Sequence, residues 1–139
     1  LAEKDFSLRQ IIVYTVLVQY DGSEFVEDEE EDKIFFYRRD PGNNYDEERL
    51  RNKWSCGLGG HISQGKDGAA LPVIHSVIRE LWEEVGIKFS MRMFDPSGII
   101  YETKTEVDRV HLGILNVIDY GGDVKPIDKE IAEGRIMTI

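Results

Sequence analysis

Glu80, Glu83 and Glu84 place three carboxylates within five residues, directly after Arg79. Clustered carboxylate oxygens are what hard divalent ions such as Mg²⁺ and Mn²⁺ select, and such an ion neutralises charge on phosphates. Upstream, Gly57-Leu58-Gly59-Gly60 puts three glycines in four positions, where the backbone can approach a ligand or metal closely. His61 follows; it could bond a phosphate or relay a proton, or serve as a structural histidine. Arg38 and Arg39 either match phosphate oxygens with their guanidinium forks or form a surface pair.

A helix must position the carboxylates. Pro72 suits its first turn, and Gly86 suits the left-handed position just past its end. At about 100° per residue, Ile74, Val77, Ile78, Leu81 and Val85 share one arc, and Glu80, Glu83 and Glu84 fall on the opposite one. Like charges three and four apart repel by roughly 0.2–0.5 kcal/mol per pair. They also stand in the last turn, where the helix dipole disfavours anions. Arg79, four residues before Glu83, offsets part of this, and a bound cation removes both objections. Without one the arc is an ordinary solvated acidic face.

The stretch GLGGHISQGKDGAALPVIHSVIRELWEEVGI, Gly57 to Ile87, resembles the signature of Nudix hydrolases. That signature runs Gly, five residues, Glu, seven residues, then Arg-Glu-apolar-any-Glu-Glu-any-Gly-apolar. Arg79 to Ile87 meets every fixed position of the second half. In the first half Gly60 supplies the opening Gly and Gly65 the inner one, but Lys66 stands where the first Glu belongs. Five extra residues then precede Arg79. The family's first Glu commonly partners the Arg, and Asp67, one residue on, is a candidate substitute. The GLGGHI segment with its lengthened loop is similar to a MutT-like phosphoesterase branch.

The resemblance implies an α/β fold, an α/β/α sandwich with a mixed β-sheet. It also implies a Mg²⁺- or Mn²⁺-dependent hydrolase that cleaves a pyrophosphate linkage in a nucleoside diphosphate derivative by water attack at phosphorus. Carried over by position, Gly60 (through its carbonyl), Glu80, Glu83 and Glu84 hold the metal. Glu80 is a ligand or the base, Glu83 shares the catalytic set, and Arg79 orients the glutamates. In many family members the base lies on a late loop, where Glu130 or Glu133 could serve. Arg38, Arg39, His61 and Trp54 are the expected substrate contacts; Trp54 or Tyr45 could stack on a base, and Trp54 could equally be core. Homodimerisation is common in the family. Two alternatives stand beside the hydrolase. One is a domain of the same fold that binds or senses a nucleotide without cleaving it. The other is an isomerase of an isoprenoid diphosphate, for which Cys56 lacks the expected Cys-x-His setting.

Length and charge set bounds on these readings. The 139 residues fit one domain, 1–139, with a normal core. The chain opens without Met and closes in an apolar run, which leaves room for it to extend at either end. With 17 basic against 27 acidic residues the formal charge is −10, which argues against nonspecific binding to duplex nucleic acid or an anionic membrane. An anionic substrate therefore needs local cations. One cysteine and no signal peptide predict a reducing, cytoplasmic setting.

The remaining elements read as strands and turns. Gln10–Tyr20 reads as a strand buried on both faces, Asp21-Gly22-Ser23 as a turn, and the six acids Glu27–Asp32 as a solvated loop. Lys33–Arg39 reads as the next strand and Asp40–Asn52 as a polar loop. After Ile87, Ile99–Glu102 and Val107–Ile118 have strand composition, with a turn at Asp95-Pro96-Ser97-Gly98.

Overall fold

The computed structural model describes residues 5–19, 32–43 and 48–139. The Asp21-Gly22-Ser23 turn, most of the acidic run and Tyr45 lie outside the described residues. The elements in order are β1 (Gln10–Gln19), β2 (Lys33–Arg39), a 3-10 turn (Glu48–Leu50), β3 (Trp54–Ser55), β4 (Gly57–Leu58), α1 (Gln64–Asp67) and α2 (Pro72–Val85). They continue with a second 3-10 turn (Met91–Met93), β5 (Pro96–Ile100), α3 (Glu106–Arg109), β6 (His111–Asp119) and β7 (Ile131–Thr138). The described strands form one seven-stranded mixed sheet with the order β3-β2-β1-β6-β5; β4 pairs with β1, and β7 with β2. Only β1 and β6 run parallel, from Gln10 opposite His111 to Val18 opposite Asp119; the other pairs of described strands are antiparallel. No described helix is long and apolar enough to cross a membrane.

Local chemistry accounts for α2. Pro72 occupies its first turn, and Gly86, at φ 68°, closes it with an N–H donated to the Trp82 carbonyl. Its apolar arc packs Val77, Leu81 and Val85 against Val13 and Leu17 of β1, Phe35 of β2 and Leu58 of β4. Ile78 joins this core only in part and Ile74 stays half-exposed, so the buried stripe is narrower than its apolar composition. Ser76 is fully buried within it. On the opposite face of the sheet, Ile12, Tyr14 and Gly113 border a cavity of about 320 Å³ whose rim includes Val107 and Asp108 of α3.

Three expectations need correction. Asp95–Gly98 is not a turn: Pro96 to Ile100 pair with β6, with an irregularity between Pro96 and Gly98. β5 is an edge strand, where a proline's missing N–H disrupts no ladder. Val107 belongs to α3, not to a strand, because Thr105 and Asp108 form a capping box that starts a helical turn. Glu133 is not on a loop; it lies in β7, opposite Arg38.

Candidate active site

Arg79 is the hub of the site. Its Nε donates to Asp67 Oδ1 at 2.8 Å and its Nη2 to Asp67 Oδ2 at 3.1 Å, a two-pronged pair. Nη2 also reaches the His61 carbonyl at 3.1 Å and Ser76 Oγ at 3.3 Å. Nη1 donates to Glu80 Oε1 at 2.6 Å and to Glu83 Oε2 at 3.2 Å. Asp67 is wholly buried and accepts the Ser63 N–H at 2.7 Å as well. The Arg79 hydrogen bond holds its carboxyl below the usual range, and the same pairing drives the guanidinium upward. Asp67 ends α1, the single turn built from the residues after Gly60, whereas Lys66 is exposed beside it.

The carboxylates spread from this hub toward the glycine segment. Glu84 Oε2 accepts the Gly59 N–H at 2.8 Å. Gly59 has φ 142°, and a Cβ there would lie 2.1 Å from the Val13 carbonyl oxygen, so only glycine fits. A Cβ on Gly60 would lie 2.8 Å from Glu80 Oε1. Glu80 and Glu84 thus both face Gly59-Gly60. Burial pushes the Glu84 carboxyl up to about 8, with the nearby Glu80 charge adding to the effect. Burial raises Glu80 too, partly offset by Arg79. Glu83 sits on the open side against Arg79.

The Gly60 carbonyl accepts the Val13 N–H at 3.0 Å, leaving its second lone pair for a ligand. Among the described residues no three His, Cys, Asp or Glu side chains enclose a cation as they stand. Glu83 leans on Arg79, and Glu84 is tied to Gly59. The donor set still fits a hard divalent ion: it is all oxygen, and the largely buried carboxylate at Glu84 has its charge disfavoured in the ion's absence. Glu80, Glu83 and Glu84 with the Gly60 carbonyl could hold one.

The other predicted residues divide. A register irregularity between Arg38 and Arg39 separates their side chains. Arg39 turns to Tyr37, donating to its hydroxyl at 3.1 Å, and its charge acts on Glu84. Arg38 is bonded instead to Asn52 at 2.7 Å and to Glu133. Trp54, opposite Arg38 in the ladder, is 42% exposed beneath the Arg135 guanidinium, so it is not core. The His61 ring pairs with His111, Nε2 to Nε2 at 3.0 Å. His111 donates its other N–H to the Val107 carbonyl.

Sequence reasoning missed Asp128. The Ile127 N–H donates to the Glu84 carbonyl at 2.8 Å, and the Asp128 N–H reaches it at 3.4 Å. This docks the late loop on the end of α2 and places the Asp128 charge near Glu84. Glu130 is held two residues on, its N–H to Asp128 Oδ1 at 2.8 Å and its carbonyl to the Asp40 N–H at 2.8 Å. Tyr37 was also missed, since a tyrosine in a strand of this composition reads as core.

The mixed sheet, the glycine segment on its central strand and the glutamate-bearing helix make up the fold of the Nudix hydrolases. The chain is similar to the MutT/nudix family protein from Enterococcus faecalis, with a TM-score of 0.68 at 15% identity, over 94% of this chain and 44% of that one. It is similar in fold to a bifunctional NMN adenylyltransferase/ADP ribose pyrophosphatase from Francisella tularensis, solved with AMP and a manganese ion. There the TM-score is 0.60 at 10% identity, over 94% of this chain and 34% of that one. In sequence it is 31% identical over 143 residues to protein YmaB of Bacillus subtilis (strain 168), covering 99% of this chain. The chain spans 63% of the length of YmaB. No protein-family profile matches it.

Proposed function

We propose that this chain is a divalent-metal-dependent pyrophosphohydrolase acting on a nucleoside diphosphate derivative. The observation that carries the reading is the convergence of Glu80 and Glu84 on Gly59-Gly60, with Arg79 locked in place by Asp67. A buried carboxylate pushed up to about 8 beside another carboxylate is a site short of positive charge. Mg²⁺ or Mn²⁺ bound there would neutralise phosphate charge and lower the pKa of a bound water. The protein's own part is positional. Asp67 fixes Arg79, Arg79 fixes Glu80 and Glu83, and Gly59 fixes Glu84. Hydrolysis breaks one P–O bond of the pyrophosphate, forms one from water, and moves the water's proton to a carboxylate. Glu80 or Asp128, whose charges both act on Glu84, could accept it. The Francisella neighbour, solved with AMP and manganese, supports a nucleotide substrate and a metal of this kind. Trp54 supplies an exposed ring on which a base could stack.

One observation favours binding without cleavage: Lys66 stands where the signature has its first glutamate, and the loop after it is lengthened by five residues. A panel of nucleoside triphosphates, dinucleoside polyphosphates and nucleotide sugars, with Mg²⁺ or Mn²⁺ and phosphate detection, decides between the two. Turnover of any member supports the hydrolase. Tight binding with no turnover across the panel establishes the sensor instead.

A further inference from the structure

β2 delivers two arginines in succession, and they part: Arg39 turns onto Tyr37, and its charge acts on Glu84. The register irregularity at Arg38/Arg39 leaves Arg38 with Asn52 and Glu133 and turns Arg39 onto Tyr37. Bulges commonly re-aim a side chain in this way beside active sites. Tyr37 has no solvent exposure at all. Its hydroxyl does two things at once: it donates to the Gly57 carbonyl at 2.5 Å and accepts from Arg39 Nη2 at 3.1 Å. The guanidinium carbon lies 5.2 Å from the Tyr37 ring centroid. One buried phenol therefore fixes both the start of the glycine segment and the direction of a guanidinium.

We infer that Tyr37 is a positioning residue that aims Arg39 at the pyrophosphate of the substrate, using the Gly57 carbonyl as its anchor. This deepens the hydrolase reading and rests on it for the activity measurement alone. A polyphosphate brings several negative charges to a site walled by Glu80 and Glu84 in a chain of formal charge −10, so a protein cation beside the metal would help to hold it. The guanidinium fork matches phosphate oxygens in pairs, but only when its plane is fixed. Burial keeps the Tyr37 phenol protonated, so it can donate to one partner while accepting from the other. Phenylalanine could do neither.

The test uses Tyr37→Phe, Arg39→Ala and the double variant. The affinity for inorganic pyrophosphate with Mg²⁺ is measured by calorimetry, and kcat and KM on whichever substrate the panel yields. Arg39→Ala should weaken pyrophosphate binding about tenfold, and Tyr37→Phe by a comparable factor. The double variant should be no worse than Arg39→Ala alone, because the hydroxyl acts through the arginine. KM should rise in step with the pyrophosphate constant. A merely structural tyrosine would lower the melting temperature and leave pyrophosphate affinity at the wild-type value, and that result overturns the inference. So does a double variant whose loss equals the product of the single losses, or a wild type that does not bind pyrophosphate. Failure of the hydrolase reading looks different: a wild type that binds pyrophosphate and cleaves nothing in the panel.

Discussion

Asp67 and Arg79 form a buried, two-pronged ion pair, with Nε–Oδ1 at 2.8 Å and Nη2–Oδ2 at 3.1 Å. It spans the inserted residues between α1 and α2. The remaining donors of Arg79 are thereby directed at Glu80 and Glu83. Removing one partner of a buried pair strands the other, at a cost of about 3–5 kcal/mol. Asp67→Ala should therefore lower the melting temperature by ten degrees or more and reduce turnover by a smaller free energy. Melting curves and kcat/KM on the same preparation compare the two; a variant as stable as wild type would show that the pair holds nothing together.

Glu84→Gln should separate stability from activity. Without metal the amide removes a disfavoured buried charge, so the variant should melt at or above the wild-type temperature at pH 8. Its kcat should fall by at least about a hundredfold, as should that of Glu83→Gln, since each removes a major electrostatic contribution. Adding Mg²⁺ should raise the wild-type melting temperature through binding to the folded state and leave Glu84→Gln nearly unmoved. Equal metal shifts in the two proteins would place the ion elsewhere.

The pH dependence runs opposite ways for two acids. Glu84 has a folded pKa raised to about 8, so folding favours its protonated form. Its cost is absent below the unfolded value near 4.5 and grows until the pH passes the folded value. Metal-free protein should thus lose stability between about pH 4.5 and 8, and Mg²⁺ should restore more of it at pH 8 than at pH 6. Asp67 is lowered by Arg79; its contribution is present above the unfolded value and is lost as the pH falls through the lower folded one. Denaturant titrations across pH, with and without Mg²⁺, expose both slopes. A flat metal-free profile from pH 5 to 8 would contradict the burial of Glu84.

Gly59 and Gly60 should respond differently to alanine. At Gly59 the added carbon meets the backbone oxygen of Val13 at 2.1 Å with φ in the glycine region, so Gly59→Ala should fold poorly or not at all. At Gly60 it meets only the end of the Glu80 side chain at 2.8 Å, which can swing away. Gly60→Ala should keep most of its stability and lose turnover by tenfold or more. Circular dichroism melts paired with kinetics distinguish the two; full activity in Gly60→Ala would mean that Glu80 does not need its observed position.

Lys66, standing where the family signature has its first glutamate, is exposed beside the buried Asp67. Lys66→Ala should change kcat by less than about tenfold, or 1.4 kcal/mol. A larger loss in steady-state kinetics would make the lysine a phosphate contact.

Local signals made much of this legible. Pro72 and Gly86 bracket α2 because each is chemically suited to one helix end, and the apolar run at residues 34–37 within Lys33–Arg39 carries its own strand signal. What the sequence could not display was set by partners far along the chain. Pro96 joins a strand because β6 lies alongside. Arg38 and Arg39, adjacent and alike, part company at an irregularity that pairing with β7 creates. Asp67 was readable as a substitute by position, but not as a fully buried one. Asp128 had no signal at all, because its importance comes from a backbone contact with Glu84.

The parallel pairing of β1 with β6 has a consequence for how the protein acquires its shape. β1 is made before its partner, which from His111 to Asp119 follows about a hundred residues later. Val13 at its centre meanwhile supports both Gly59 and Gly60. A chain emerging in order can form α2 early, but its glycine segment rests on a strand whose neighbour has not yet been made. The carboxylate cluster is thus supported by a strand whose parallel pairing closes a span of about a hundred residues, a non-local contact of the kind that slows folding.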